Sequence, residues 1–323
     1  MCLGSVFRAN NLLISTLVYL VRVRVKLNLS ESIPEMEIKT TTLSIGDLVF
    51  GLDHCGSGRR LALCLHGFPE SNFSWRYQLP LLASMGYKAW APNLRGYGDS
   101  SRPLKACDYA VDRLLEDIEG FIELSGCDDI TLISHDWGGA LAWIFALRQT
   151  RPLKKLVVMN CPYPTAFKLG MNFRQYLKSW YMYFFQIPRI PELLFGRNKA
   201  MPIRRMFEKT SVNKDMFPPE VTEVYRANAS RPGALSAMIN YYRALFRFPP
   251  KLPINERSSK NITVPTLLIW GEQDLALSKH LADATDAYVD NLTIQFIPEG
   301  SHWIQQDCPE EVNRILSNFL KKN

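Results

Sequence analysis

The chain has 323 residues, of which 47% are hydrophobic and 21% are charged, and its formal net charge is +7. This balance is typical of a globular enzyme with a sizeable core. The basic residues are not gathered into one block, which argues against a nucleic-acid partner but leaves room for a mild attraction to anionic membrane surfaces.

The seven cysteines are scattered along the chain and show no paired spacing. This pattern excludes a disulfide framework and a cysteine-based zinc site, and it predicts a catalytic domain in a reducing compartment. Five Asn-x-Ser/Thr triplets keep a secreted protein open as an alternative.

The N-terminal segment, residues 1–36, differs in character from the rest of the chain. Its apolar run at residues 12–21 is followed by basic residues and, as a helix, would cover about half of a bilayer's hydrocarbon thickness. If the helix extends over residues 12–27, with its basic side chains reaching toward the membrane surface, the segment predicts membrane association. The alternative is an arm that is docked on the protein or disordered. If the segment spans the membrane, the basic excess after the run predicts that the catalytic domain lies on the cytosolic side. We expect a protein of the endoplasmic reticulum membrane, with a cytoplasmic protein as the alternative.

Beyond residue 36, short apolar and β-branched runs alternate with amphipathic helical patterns. The runs predict a hairpin from Thr40 onward and strands at residues 61–65, 87–91, 130–134, 156–159, 265–270 and 293–297. The helical patterns lie at residues 75–85, 111–122 and 310–320. This alternation predicts an α/β fold with a mostly parallel sheet flanked by helices.

One long segment interrupts this alternation. Residues 163–260 are rich in aromatic residues, arginine, methionine and proline, and they predict irregular helices without a convincing strand. We interpret them as a helical cap inserted into the sheet domain. The domain boundaries are therefore expected at 37–162 and 261–323 for the two parts of the core and at 163–260 for the cap.

The run at residues 130–134 ends at Ser134-His135-Asp136-Trp137-Gly138 and is followed by a helical pattern. Small residues around a central side chain are typical of a nucleophile elbow, a strained strand-to-helix turn. Most elbows carry serine, whereas this one carries Asp136. A carboxylate is already ionised at neutral pH, and it attacks saturated carbon that bears a strained or good leaving group. Asp136 therefore predicts epoxides or alkyl halides as substrates, unless it only caps the helix.

Three further loops follow predicted strands, where an α/β sheet presents its active site. In His66-Gly67-Phe68-Pro69, the Phe68 N–H is the candidate oxyanion donor and His66 is interpreted as a structural residue. Gly271-Glu272-Gln273-Asp274 carries the candidate acid, and Ser301-His302-Trp303 carries the candidate base.

The glycines of Arg95-Gly96-Tyr97-Gly98-Asp99-Ser100 predict a tight turn. A phosphate-binding loop is not favoured, because no Lys-Ser/Thr follows and the glycine spacing of a dinucleotide site is absent. No cofactor and no metal are expected.

These motifs, in this order, resemble the epoxide hydrolase family of the α/β-hydrolase superfamily over residues 43–320. The resemblance implies the α/β-hydrolase fold with an inserted helical cap. Three segments are most similar to the animal membrane-anchored epoxide hydrolases 3 and 4. They are the N-terminal hydrophobic segment, Phe184-Phe185-Gln186-Ile187-Pro188 and Arg231-Pro232-Gly233-Ala234-Leu235.

The family resemblance and the residue types together imply a two-step reaction. Asp136 is the expected nucleophile, which opens the epoxide ring and forms an ester with it. His302 is the expected general base for hydrolysing that ester with water, and Asp274 is its charge partner, since nucleophile, acid and histidine follow in the α/β-hydrolase order. The backbone N–H groups of Phe68 and Trp137 are expected to form the oxyanion hole.

Cap tyrosines are the expected proton donors to the leaving oxygen, because a phenol stays protonated at neutral pH. By resemblance, Tyr242 in Asn240-Tyr241-Tyr242-Arg243 matches one family position and Tyr181 matches the second. Tyr183 remains an alternative to Tyr181, because the two side chains point to different faces of a helix. Ordinary aromatic packing is the competing interpretation for all of them, and Glu272 is the alternative to Asp274.

We therefore expect an epoxide hydrolase that converts small lipophilic epoxides and water to vicinal diols. The apolar cap, with Trp180, Phe184 and Phe185, suggests epoxidised fatty acids. One alternative is a haloalkane dehalogenase-like hydrolase, although such an enzyme has no use for two cap phenols. The other is a catalytically silent, membrane-associated α/β-hydrolase that binds a lipid or a partner.

Overall fold

The computed structural model describes residues 36–251 and 262–322. Its strands form one sheet in the order β1-β2-β4-β3-β5-β6-β7-β8. They are β1 (Lys39–Ile45), β2 (Leu48–Cys55), β3 (Arg60–Leu65), β4 (Tyr87–Pro92), β5 (Asp129–His135), β6 (Lys155–Met159), β7 (Thr266–Gly271) and β8 (Leu292–Ile297). β2 runs antiparallel to both β1 and β4, and the remaining pairs are parallel. The predicted hairpin and mostly parallel sheet are confirmed.

Helices pack on both faces of this sheet. In the sequence, most of the helices lie between two strands. They are α1 (Gln78–Ser84), α2 (Val111–Ser125), α3 (Asp136–Arg148), α4 (Pro164–Leu169), α5 (Phe173–Lys178), α6 (Trp180–Phe184), α7 (Ile190–Phe195), α8 (Arg197–Thr210), α9 (Pro219–Ala229), α10 (Ala234–Arg247), α11 (His280–Asp283), α12 (Ile304–Asp307) and α13 (Pro309–Lys321). Short 3₁₀ helices occur at Asn72–Trp75, Ala106–Tyr109, Lys214–Met216 and Ala284–Tyr288.

The central strands bury both of their faces, which explains their continuous apolar runs. In register, Leu63 lies opposite Leu132, and Leu132 lies opposite Leu156. These leucines belong to the core that also contains side chains of α2 and α3. The neighbouring Ile133 and Val157 belong to a second core with α1 and α13. Alternate residues of each strand therefore hold the two helical layers on opposite faces of the sheet.

The helices α4 to α10 all lie between β6 and β7. We call this segment, residues 164–247, the helical insertion. The range of α8 contains a break, because Asn198, Lys199 and Ala200 have left-handed φ angles of 49°, 55° and 58°. The expected helices are confirmed, and no strand occurs in the described part of 163–260. The domain boundaries stay a prediction.

The predicted membrane segment, residues 12–27, lies outside the described residues. Within 36–251 and 262–322, none of the helices reaches the length and hydrophobicity that crossing a bilayer requires.

Candidate active site

The turn between β5 and α3 has the geometry expected of a nucleophile elbow. Asp136 has a φ of 48°, a left-handed conformation that residues with side chains rarely adopt. Strand and helix approach closely, since a Cβ atom at Gly138 would lie 2.2 Å from the Leu65 carbonyl oxygen. Only glycine fits at that position. The backbone therefore projects the Asp136 side chain from the carboxyl edge of the sheet.

The Asp136 carboxylate is held at one oxygen by the loop after β3. The Phe68 N–H donates a hydrogen bond of 2.7 Å to Asp136 Oδ1. A Cβ atom at Gly67 would lie 2.3 Å from the same oxygen, so this loop also requires glycine. Trp137 is the next residue of α3, and its N–H belongs to the first helical turn. The other oxygen, Oδ2, lies 3.5 Å from Nε2 of His302.

His302 lies between two carboxylates. Its Nδ1 is 2.7 Å from Oδ2 of Asp274. Asp274 Oδ2 also accepts a hydrogen bond of 2.7 Å from the Asn160 side-chain amide, and its Oδ1 accepts from the backbone N–H groups of Ala276 and Leu277. These contacts fix the carboxylate and, through it, the orientation of the imidazole. Glu272, the alternative acid, is exposed and pairs with Lys279 instead.

The two carboxylates and the imidazole shift one another's pKa values. Burial acts to raise the pKa of Asp136, but the hydrogen bond and charge of His302 outweigh it, so this pKa lies below its usual value. The pKa of Asp274 is lowered against burial in the same way. Burial acts to lower the pKa of His302, yet the two carboxylates hold it well above its usual value. The resting site therefore contains an imidazolium between two carboxylates.

A cavity of about 250 Å³ lies against Asp136. Its lining residues are Phe68, Asp136, Lys178, Trp180, Tyr181, Phe185, Phe195, Met206, Thr210, Tyr242, Leu275, Ala276, His302 and Trp303. Most of these residues belong to the helical insertion. Most of the fourteen side chains are also apolar or aromatic. The insertion therefore closes over the elbow and forms the greater part of the cavity wall.

The two predicted proton donors face each other in this cavity. The rings of Tyr181 and Tyr242 are 5.8 Å apart and nearly perpendicular. Burial, with the nearby Asp136 charge, raises the pKa of both phenols, so both stay protonated at neutral pH. Arg243 joins their helices, because its guanidinium donates to the backbone carbonyls of Phe185 and Ile187 at 3.1 and 2.9 Å.

Tyr183 lies elsewhere. Its side chain is 44% exposed and its ring contacts those of Tyr176 and Phe246. Of the two candidates for the second phenol, the structure therefore brings Tyr181 to the cavity.

A buried network beneath the elbow was not predicted. The Glu70 carboxylate accepts from the Gly67 N–H, the side chains of Gln305 and Gln306, and His135 Nδ1 at 2.7 Å. His135 Nε2 lies 2.7 Å from the carbonyl oxygen of His302. Both ring nitrogens of His135 therefore lie within hydrogen-bond distance of an oxygen atom. The network links the nucleophile's neighbour to the backbone of the candidate base.

Asn160 was also missed by the sequence reasoning. The signal that could have found it is its position directly after β6, at the same sheet edge as the other candidates. For Glu70 the signal was weaker, namely a carboxylate directly after His66-Gly67-Phe68-Pro69.

Two loop predictions are confirmed by hydrogen bonds. His66 Nε2 accepts from the Leu94 N–H at 3.0 Å and its Nδ1 lies 3.0 Å from the Gly67 carbonyl, so this buried ring organises two loops. In the segment 95–100, Gly96 and Gly98 have positive φ angles and Ser100 N–H donates to the Tyr97 carbonyl, as in a tight turn.

Comparison with known proteins shows the family. The α/β-hydrolase fold model matches residues 63–308. Human epoxide hydrolase 4 is 39% identical over 272 residues, which cover 82% of this chain and 73% of the human protein. Epoxide hydrolase 3 of Xenopus tropicalis is 38% identical, with 81% of this chain and 72% of the frog protein covered.

Solved structures show the same fold. An inhibitor complex of an epoxide hydrolase from Bacillus megaterium is 29% identical with a TM-score of 0.78, and the match covers 87% of this chain and 100% of that one. The epoxide hydrolase VrEH1 from Vigna radiata is 26% identical with a TM-score of 0.75, covering 89% and 99%. The elbow, the sheet order and these matches agree, and the chain belongs to the epoxide hydrolase family of the α/β-hydrolases.

Proposed function

We propose that this protein hydrolyses lipophilic epoxides to vicinal diols through an ester on Asp136. The observation that carries this proposal is the placement of one carboxylate between a backbone donor, an imidazole and two phenols. Phe68 N–H holds Asp136 Oδ1, whereas Oδ2 lies beside His302 at the wall of the cavity that Tyr181 and Tyr242 also line.

In the first step, Asp136 Oδ2 attacks an epoxide carbon and the ring C–O bond breaks. The leaving oxygen takes a proton from Tyr181 or Tyr242. Although burial raises the pKa of these phenols, an alkoxide is a far stronger base than a phenolate, so the proton moves to the substrate oxygen. The product of this step is a hydroxyalkyl ester of Asp136 and a phenolate.

In the second step, the His302 imidazolium first gives its proton to the phenolate. The neutral imidazole then takes a proton from water, and the hydroxide attacks Cγ of Asp136. The resulting oxyanion on Oδ1 is stabilised by the N–H groups of Phe68 and Trp137. The bond between Cγ and the substrate-bound oxygen then breaks, that oxygen takes the proton of the newly added hydroxyl, and the diol leaves. The proton taken from water stays on His302, which restores the imidazolium and the two carboxylates of the resting site.

The two phenols favour epoxides over alkyl halides. A halide leaves as a weakly basic anion that needs no proton, whereas an opening epoxide develops an alkoxide. The cavity wall favours lipophilic substrates, because Phe185, Phe195, Met206 and Trp303 offer no charge to a polar substituent. We therefore propose epoxidised fatty acids as a substrate class.

A single turnover in water labelled with heavy oxygen tests the mechanism. With enzyme in excess, the first diol should carry no label, because its new oxygen comes from Asp136, and the label should appear in the Asp136 peptide. Asp136→Asn should form no diol. Labelled diol in the first turnover would mean that water attacks the epoxide directly.

We also propose that residues 12–27 attach the protein to the endoplasmic reticulum membrane, with the catalytic domain in the cytosol. The support is the apolar run followed by basic residues. Alkaline carbonate extraction of membranes from cells that express the full chain tests this. Retention in the pellet, lost when Leu13, Val18 and Leu20 are changed to serine, is the expected result; release of the unchanged chain contradicts it.

A further inference from the structure

An exposed hydrophobic surface covers the first helices of the helical insertion. In the described part of the chain, fifteen large hydrophobic side chains are exposed, and nine of them lie between residues 169 and 193. Leu169, Phe173 and Leu193 are 71%, 78% and 67% exposed. Single exposed hydrophobic side chains are normal, but such a concentration marks an interaction surface. We call residues 169–193 the insertion face.

Trp180 belongs both to this face and to the cavity wall, and Leu275 is a second exposed residue of that wall. They are 58% and 61% exposed. Ring contacts extend the surface from one helix to the next, with Tyr176 and Tyr183 5.3 Å apart and Tyr183 and Phe246 5.6 Å apart. These contacts form one aromatic surface that extends from α5 through α6 to α10.

The same stretch carries an unbalanced positive charge. The insertion face contains Arg174, Lys178 and Arg189, and Lys168, Arg197 and Lys199 flank it in the sequence. Glu192 is its one acidic residue, and the Glu192 carboxylate pairs with Arg243 at 2.5 Å. All of these basic residues except Lys178 are exposed. The insertion face thus combines apolar side chains with cationic ones.

We propose that the insertion face docks on the surface of an anionic lipid bilayer, with the cavity opening toward the lipid. Tryptophan, tyrosine and aliphatic side chains among lysine and arginine are the composition of a protein surface that lies in the membrane interface. The cationic groups are attracted to anionic headgroups. A second copy of this chain fits less well, because a two-fold interface places the same basic residues against each other.

Docking in this orientation delivers a lipophilic epoxide from the bilayer to Asp136 without passage through water. This consequence rests on the proposed epoxide hydrolysis, whereas docking itself does not. Attachment through residues 12–27 is a separate proposal, because it involves none of the side chains of the insertion face.

Hydrogen–deuterium exchange of the full chain tests the docking without any measurement of activity. Peptides that cover residues 169–193 should exchange about tenfold more slowly when vesicles of phosphatidylcholine and phosphatidylserine are added. Vesicles of phosphatidylcholine alone should protect these peptides less. Peptides on β8 and α13 should be unaffected, which separates docking from a general change in stability.

Matched variants identify the surface. Phe173→Glu combined with Leu193→Glu should abolish the vesicle-dependent protection. Leu104→Glu combined with Leu124→Glu should keep it, because those exposed leucines lie outside the insertion face. None of these side chains lines the cavity.

Unchanged exchange at residues 169–193 in the presence of vesicles overturns the proposal. Equal protection by neutral and anionic vesicles overturns its electrostatic part. Protection that appears without vesicles and increases with protein concentration assigns the face to self-association instead.

Discussion

His302 Nε2 lies 3.5 Å from Asp136 Oδ2, so the candidate base and the candidate nucleophile contact each other before any substrate is bound. This contact, with that of Asp274, keeps the pKa of His302 well above its usual value against the effect of burial. Formation of the ester removes the negative charge of Asp136, and the pKa of His302 then falls. The imidazole thus becomes a neutral base at the step that needs one.

The first prediction concerns pH. Ring opening needs the Asp136 carboxylate, whose pKa lies below its usual value, and should therefore persist in mild acid. Ester hydrolysis needs neutral His302 and should slow by about tenfold for each pH unit below the pKa of His302 in the ester. Rapid quench at falling pH should show ester accumulation. Equal slowing of both steps would contradict the shared role of this imidazole.

The second prediction concerns the phenols. Tyr242→Phe and Tyr181→Phe should each slow ring opening, and the double variant should lose about 10²–10⁴-fold, because no phenol then protonates the alkoxide. Burst kinetics with a chromogenic epoxide measure this step. Tyr183→Phe is the matched control, since its side chain is exposed and away from the cavity, and its rate should be unchanged. A larger loss for Tyr183 than for Tyr181 would reverse the assignment.

The third prediction concerns Asn160, whose side-chain amide donates to Asp274 and whose φ is 42°. Asn160→Gly keeps the left-handed backbone but removes the hydrogen bond, whereas Asn160→Ala also strains the backbone. Both should slow ester hydrolysis more than ring opening, and the alanine variant should have the lower melting temperature. Calorimetry and single-turnover kinetics distinguish these effects. Normal hydrolysis in the glycine variant would show that Asp274 is held adequately without Asn160.

The fourth prediction concerns Glu70. Glu70→Gln removes the charge of a buried carboxylate that accepts from Gly67, His135 and two glutamines, which should cost about 3 kcal/mol in the free energy of unfolding. Glu116→Gln removes an exposed ion pair with Arg113 and should leave the free energy of unfolding nearly unchanged, because solvent screens that pair. Urea titration at neutral pH measures both. A small effect at Glu70 would show that the network does not depend on the charge of this carboxylate.

The sequence predicted most of the sheet and the elbow, because these depend on local patterns. The buried run before Ser134 and the glycine after Trp137 suffice for strand, turn and helix. The turn at residues 95–100 was likewise readable from its glycines.

What could not be predicted depends on contacts between distant parts of the chain. Glu70 meets Gln305 and Gln306 only after β3 and α12 are brought to the same sheet edge. Asn160 and Asp274 are joined across β6 and β7 in the same way. The break in α8 could not be predicted from the local sequence, because none of the residues 198–200 is a proline or a glycine.

Intact mass spectrometry of His302→Gln after exposure to epoxides and alkyl halides tests the central claim most directly. The substitution leaves Asp136 able to open the ring but removes the base, so the ester should accumulate. The expected result is a mass increase equal to one whole epoxide, mapped to the Asp136 peptide and absent in Asp136→Asn. A folded variant that gains no mass from any epoxide, or gains mass only from alkyl halides, would contradict the account.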